Sequence, residues 1–177
     1  MSQRNSLQAV LWDLDGTIID SEPLWLEAEI EMLQSYGLEF GDEARDELIG
    51  KGLWDGAKVF QDMGVPLSAD QIVDRLTTRV IELYDERKPV WRPGAIELLA
   101  QVKKAGIPNV MVTMSTHPIA KKVAEMLPEN TFVELVTGDR VPNAKPHPEP
   151  YLYGAKAAGV PIENCVAFED SVPGLRS

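Results

Sequence analysis

Asp13, Asp15, Thr113, Ser115, Lys145, Glu169 and Asp170 are the residues of this chain whose types and placement could do chemistry together. Asp13 and Asp15 follow the apolar run Ala9-Val10-Leu11-Trp12, and Thr113 and Ser115 follow Asn109-Val110-Met111-Val112. Lys145 lies in the loop after Val133 to Val136, and Glu169-Asp170 follow Cys165-Val166-Ala167-Phe168. A carboxylate can attack phosphorus and carry the phosphoryl group covalently, which splits one hard step into two easier ones. A second carboxyl can protonate the leaving oxygen and then activate water. Mg2+ prefers oxygen ligands and shares them with substrate phosphate, so clustered acids suit it better than any softer metal. A lysine and a hydroxyl can stabilise charge on the equatorial phosphoryl oxygens. The set suits phosphoryl transfer.

Each member also has a plainer reading. Asp-Gly is a common turn, threonine favours strands, a loop lysine is often solvated, and an acid pair at a helix start is favoured by the helix dipole. What outweighs these readings is the shared position. In open parallel sheets ligands bind beyond the carboxyl ends of the strands, and here each of four apolar runs leads into a polar residue of this set. Elsewhere the plainer reading stands: His147 beside prolines reads as structural, and Cys165 as a buried small hydrophobe. Trp25 and Trp54 read as core aromatics, and the acidic run Gly41 to Glu47 as a solvated helix face.

The elements that must position these residues alternate. Strands are expected at 9–12, 109–112, 133–136 and 165–168, and helices at 95–105, 118–126 and 149–158. Strands alternating with helices predict a parallel sheet with right-handed crossovers. Between the first strand and Pro93, nothing reads as a strand. Ser21 is an expected N-cap for a helix carrying Trp25, Ala28, Met32, Leu33 and Tyr36 on one face, with Gly37 as its stop. Trp54 to Met63 forms another helix, and Ser68 with Gln71 forms a capping box before the stripe Ile72, Leu76, Val80, Leu83 and Tyr84. The expected fold class is α/β, a doubly wound, Rossmann-like parallel-sheet core (1–18 and 92–177) with an inserted all-helical domain (19–91).

Composition narrows the partners. The 177 residues carry a formal net charge of -11, which repels nucleic-acid backbones and anionic membrane surfaces. With one cysteine and two histidines the chain holds no internal disulfide, and a His/Cys zinc site is not expected. No stretch has the length of a membrane span, and Met1 to Gln8 lack a signal-peptide core, so the expected location is cytoplasmic. No feature calls for an obligate protein partner.

Asp13-Leu14-Asp15-Gly16-Thr17 matches the D-x-D-G-T signature of the haloacid dehalogenase superfamily. Thr113, Lys145 in Lys145-Pro146-His147-Pro148, and Glu169-Asp170-Ser171 resemble its second, third and fourth motifs. The resemblance implies Asp13 as nucleophile and Asp15 as general acid/base, with Thr113 and Lys145 on the transferring phosphoryl group and Lys145 also steadying Asp13; Ser115 is a candidate substrate-binding residue. It also implies Mg2+ held by the Asp13 side chain, the Asp15 backbone carbonyl, Asp170 and Glu169. The helical insertion resembles the family's mobile cap, with hinges at 16–20 and 88–93 and with Lys51, Trp54 and Arg79 as candidate substrate contacts.

Within the superfamily the chain resembles the β-phosphoglucomutase-like group, whose members include sugar-phosphate phosphatases. Asp20-Ser21-Glu22-Pro23-Leu24-Trp25 resembles the phosphatases, and Trp25 and Leu53 stand where the mutases carry a cap histidine and a phosphate-binding arginine. The expected activity is hydrolysis of a small phosphorylated metabolite, with a phosphomutase as the alternative. Chains of the superfamily continue beyond the position matching Ser177. The expectation is therefore a core lacking its last elements, with Val166-Ala167-Phe168 at an open edge. A non-catalytic fragment that only binds phosphate is the alternative from another class.

Overall fold

A computed structural model describes residues 7–48 and 51–177, with backbone only for Glu43 and Asp46. The chain runs β1 (Ala9–Trp12), α1 (Glu22–Gln34), α2 (Asp42–Leu48), α3 (Leu53–Asp62), α4 (Ala69–Glu86), α5 (Ala95–Lys104), β2 (Asn109–Val112), α6 (His117–Glu125), β3 (Glu134–Val136), α7 (Glu149–Ala157), a 3-10 turn Ile162–Asn164, β4 (Cys165–Phe168) and α8 (Val172–Arg176). It divides into two compact units: one joins the chain up to Asp20 with Val90–Ser177, and the other is Ser21–Pro89. The crossings thus fall two residues inside the expected 19–91, and the expected start of the core at residue 1 lies outside the described residues.

The first unit is the parallel α/β sheet, in the order β3-β2-β1-β4. β1 sits inside the sheet, and its four residues are at most 2% exposed. Register levels the strand ends, because Trp12 pairs with Met111 on one side and with Phe168 on the other. The Asp13 amide then donates to Phe168 O at 3.0 Å and the Thr113 amide to Val136 O at 2.9 Å. Four strands therefore deliver their next residues to one rim.

Trp12, next to Asp13, is clamped from both sides. Its indole stacks on Phe168 with ring centroids 4.5 Å apart, and its Nε1 donates to Asn109 Oδ1 at 2.9 Å. Asn109 is 1% exposed, and its Nδ2 donates to Leu99 O and Thr131 O. A buried amide with every group paired adds specificity without a desolvation debt. On the sheet, α7 packs Tyr151 against Leu11, Val110, Val112 and Val136.

The edges depart from expectation. β3 begins at Glu134, with Val133 57% exposed. Cys165, expected to be buried, is half-buried, and Val166 and Phe168 are 45% and 36% exposed. The reason is position, since β1 is the single strand paired with β4 among the described residues. The two chain crossings are pinned within this unit by the Ile19–Trp91 bridge and the bonds Asp20 N to Val90 O and Arg92 N to Ile18 O.

The second unit is helical, with no strand among its described residues. The Ser68 capping box forms with both bonds present, and Ile72, Leu76, Val80, Leu83 and Tyr84 are buried as the stripe requires. Ser21 occupies the N-cap of α1 without a side-chain capping bond; Pro23 removes one of the orphan amides there. Trp54, expected in the core, is 37% exposed, its Nε1 satisfied at the surface by Asp70 at 2.8 Å. Of the acidic run 41–47, the side chains of Glu43 and Asp46 lie outside the described residues, while Asp42 and Glu47 are exposed. No helix among the described residues is long and apolar enough to cross a membrane.

Glu29 of α1 lines a cavity of about 260 Å³ with Trp25, Phe40 and Arg45, and burial pushes its carboxyl up to about 7. A raised carboxyl favours the folded state below its unfolded pKa and loses that contribution as pH climbs through its folded value. Glu29→Gln is expected to raise the thermal unfolding midpoint at pH 8, by the equivalent of about 1–2 kcal/mol, and to leave it unchanged near pH 4. Melts of both proteins at the two pH values check this; equal midpoints at pH 8 would refute it.

Candidate active site

The rim of the sheet is built around a buried lysine. Lys145 Nζ donates to Asp13 Oδ1 at 2.7 Å, to Glu169 Oε1 at 2.6 Å and to Val112 O at 2.8 Å, which uses all three ammonium protons. The three side chains are 4%, 10% and 3% exposed in the order Lys145, Asp13, Glu169. Burial pushes the Asp13 carboxyl up to about 7, opposed by Lys145 and reinforced by the Asp15 and Glu169 carboxylates. Burial also acts to raise Glu169, yet the bonds from Lys145 and Ser171 hold it below the usual carboxylate range.

Asp15 lies on the other side of Asp13's strand end, with the hydroxyls. Ser115 Oγ donates to Asp15 Oδ2 at 2.6 Å, Thr113 Oγ1 donates to the same oxygen at 3.3 Å, and Thr113 Oγ1 accepts from the Ser115 amide at 3.0 Å. Thr113 and Ser115, expected on substrate, here hold the second acid. Both are buried, so their hydroxyl directions are set by the strand end rather than by solvent.

Asp13, Glu169 and Asp170 each offer a carboxylate oxygen within 4.8 Å of one another. An all-oxygen, net anionic donor set fits a hard divalent cation. The Glu169 oxygens are already occupied: Oε1 receives Lys145 Nζ and Tyr151 OH, and Oε2 receives the Ser171 amide and Ser171 Oγ. Asp170 is steadied by Thr17 Oγ1 at 3.2 Å. Two glycines permit these approaches. Gly16 has φ +82°, and a Cβ there would stand 2.1 Å from Asp170 Oδ2; a Cβ on Gly174 would stand 1.7 Å from Glu169 Oε1.

Tyr151, Ser171, Thr17 and Gly174 were not foreseen as site residues. Ser171 and Thr17 sit inside the quoted motifs and could have been flagged as hydroxyl donors beside acids. Tyr151 carries no such signal, since it reaches Glu169 only through the packing of α7 on the sheet. His147 takes the structural role expected of it, its Nδ1 accepting from the Glu149 amide at the start of α7. Lys51, Trp54 and Arg79 belong to the helical unit. Arg79 is held by Glu31, Glu82 and Glu86, Trp54 by Asp70, and Lys51 is exposed.

A family model described as haloacid dehalogenase-like hydrolase matches residues 7–177. The chain belongs to that family, and it is an enzyme of the family's phosphatase kind. It is 34% identical over 188 residues to hexitol phosphatase B of Escherichia coli (strain K12), an alignment covering 99% of this chain and 80% of that protein. It is 30% identical to the phosphorylated carbohydrates phosphatase of Thermotoga maritima, covering 97% and 80%. Among solved structures it resembles CbbY from Rhodobacter sphaeroides in complex with phosphate, at a TM-score of 0.86 and 30% identity over 96% of this chain and 80% of that one.

Gly16→Ala is expected to fold but to push Asp170 aside, because both the positive φ and the missing space oppose a Cβ. Binding of Mn2+ as a probe cation, followed by electron paramagnetic resonance, should weaken about tenfold or more, the usual cost of disturbing a ligand's surroundings. Unaltered Mn2+ binding would show that Asp170 is not part of the cation site.

Proposed function

We propose that this chain is a Mg2+-dependent, cytoplasmic phosphomonoesterase that hydrolyses a small sugar or polyol phosphate through an aspartyl-phosphate on Asp13. The observation that carries the reading is the division of acids around the Lys145 ammonium. Asp13 is bonded to it at 2.7 Å, the Glu169-Asp170 pair lies on the β4 side, and Asp15 is held apart by Ser115 and Thr113. Names of the relatives support the substrate class. They are phosphatases of hexitols and of phosphorylated carbohydrates.

In the first step an Asp13 carboxylate oxygen bonds to phosphorus, the ester P–O bond breaks, and Asp15 gives its proton to the departing alcohol. In the second, Asp15 takes a proton from water, the water oxygen bonds to phosphorus, and the Asp13–phosphorus bond breaks to release inorganic phosphate. Lys145, bonded to Asp13 at 2.7 Å, would keep Asp13 directed at phosphorus and exchange one of its acceptors for an oxygen of the transferring group, stabilising its charge. Asp13, Asp170 and the Asp15 carbonyl would hold Mg2+, with Glu169 supporting them. When bound, the ion neutralises phosphate charge.

Selection among sugars is assigned to the helical unit, where Lys51 and Trp54 are the candidates. Arg79 would have to exchange its acidic partners for substrate. Trp25 and Leu53, in place of the basic groups that the mutases of the resembled group carry, favour release of phosphate over its return to the sugar.

Phosphate release from a panel of hexose, hexitol and pentose phosphates with Mg2+ tests the reading. Turnover is expected for at least one member and should be abolished both by EDTA and by Asp13→Asn. Turnover surviving Asp13→Asn would overturn the covalent mechanism. Migration of phosphate on a sugar without release would replace hydrolysis with mutase activity. A soluble, cooperatively folded protein with no turnover on any member would leave the substrate class wrong.

A further inference from the structure

We infer that Tyr151 is a positioning residue of this site, holding Glu169 against Lys145 so that Lys145 remains directed at Asp13. The inference rests on Asp13 being the reacting carboxylate, as proposed above. Tyr151 lies on α7, is 6% exposed, and packs among Leu11, Val110, Val112 and Val136 at the middle of the sheet. Its hydroxyl donates at 3.1 Å to Glu169 Oε1, the same oxygen that receives Lys145 Nζ at 2.6 Å. Its ring presents a face 4.9 Å from Nζ. The ammonium is thus enclosed by three oxygen acceptors and an aromatic face, an arrangement that favours the cation twice over.

The need for such a restraint follows from where Glu169 sits. It leaves β4, which among the described residues is bonded on one side alone, to β1, and is half open to solvent. Among the described residues its Oε2 is held by Ser171 alone, two residues on in the same loop. Among the described residues, Lys145 and Tyr151 are the side chains from other elements that donate to it, and Lys145 is the very group being placed. Tyr151 is therefore the one donor that refers the Glu169 carboxylate to the rigid interior. Partners of this kind, one bond removed from a reacting or metal-holding group, commonly govern its orientation.

The test is Tyr151→Phe, which keeps the ring and deletes the hydroxyl, made alone and together with Glu169→Gln. Alone it should lower kcat about tenfold and weaken Mn2+ binding without substrate to a similar degree, with KM unchanged within about twofold. Combined with Glu169→Gln it should change kcat and Mn2+ affinity by no more than about twofold, because the oxygen it acts through has lost its charge. Thermal melts confirm that each variant is folded where it is measured. Wild-type kcat and Mn2+ affinity in Tyr151→Phe would overturn the inference. So would the same losses persisting in the Glu169→Gln background, which would mean that the hydroxyl acts through packing alone. If the wild-type protein releases no phosphate from any sugar phosphate, the proposed function fails, whereas the Mn2+ measurements still decide the role of Tyr151.

Discussion

The rest of the rim depends on one buried ammonium with three acceptors. Lys145 lies within hydrogen-bonding distance of Asp13, Glu169 and the Val112 carbonyl, so one cation ties together the ends of β1, β2 and β4. Breaking such a pair by removing one partner typically costs about 3–5 kcal/mol, because the survivor is left buried and uncompensated. The acids need the lysine as much as it needs them. Without it, Asp13 and Glu169 would be like charges in a dry site, and burial alone already drives Asp13 toward the neutral form.

That arrangement is only possible because the strands end level. Pairing of Trp12 with both Met111 and Phe168 sets the register, and the stack of Trp12 on Phe168 together with its bond to Asn109 guards it against a slip. A shift of one residue would turn Asp13 to the other face of the sheet. Polar satisfaction deep in the core thereby controls geometry at its surface.

The core of this design was legible in the amino-acid sequence. The apolar runs that end in Asp13, Thr113 and Glu169 became strands, and the capping box at Ser68 formed because its two bonds are local. Local rules failed where the outcome depends on neighbours far along the chain. Cys165 and Trp54 have the composition of core residues, but burial depends on what packs on them, and each has solvent on one side. The roles of Ser115 and Tyr151 were hidden for a related reason. A hydroxyl's partner is chosen by tertiary placement, 100 residues away for Ser115 and 18 for Tyr151. Arg79 shows the converse, a cation that looked available and is surrounded by acids from its own and a neighbouring helix.

Among the described residues β4 is paired on one side alone, with β1, and that bears on exchange with solvent. Strands at an edge open at lower free energy than those inside a sheet, so amide hydrogens of Cys165–Phe168 should exchange well before those of Ala9–Trp12. Each such opening would carry Glu169 and Asp170 away while leaving Asp13 in place, so that half of the site would open as one unit. A ligand that touches both halves binds only the closed form and so slows that opening by mass action. Protection of a single strand would then report occupancy of the site at the rim.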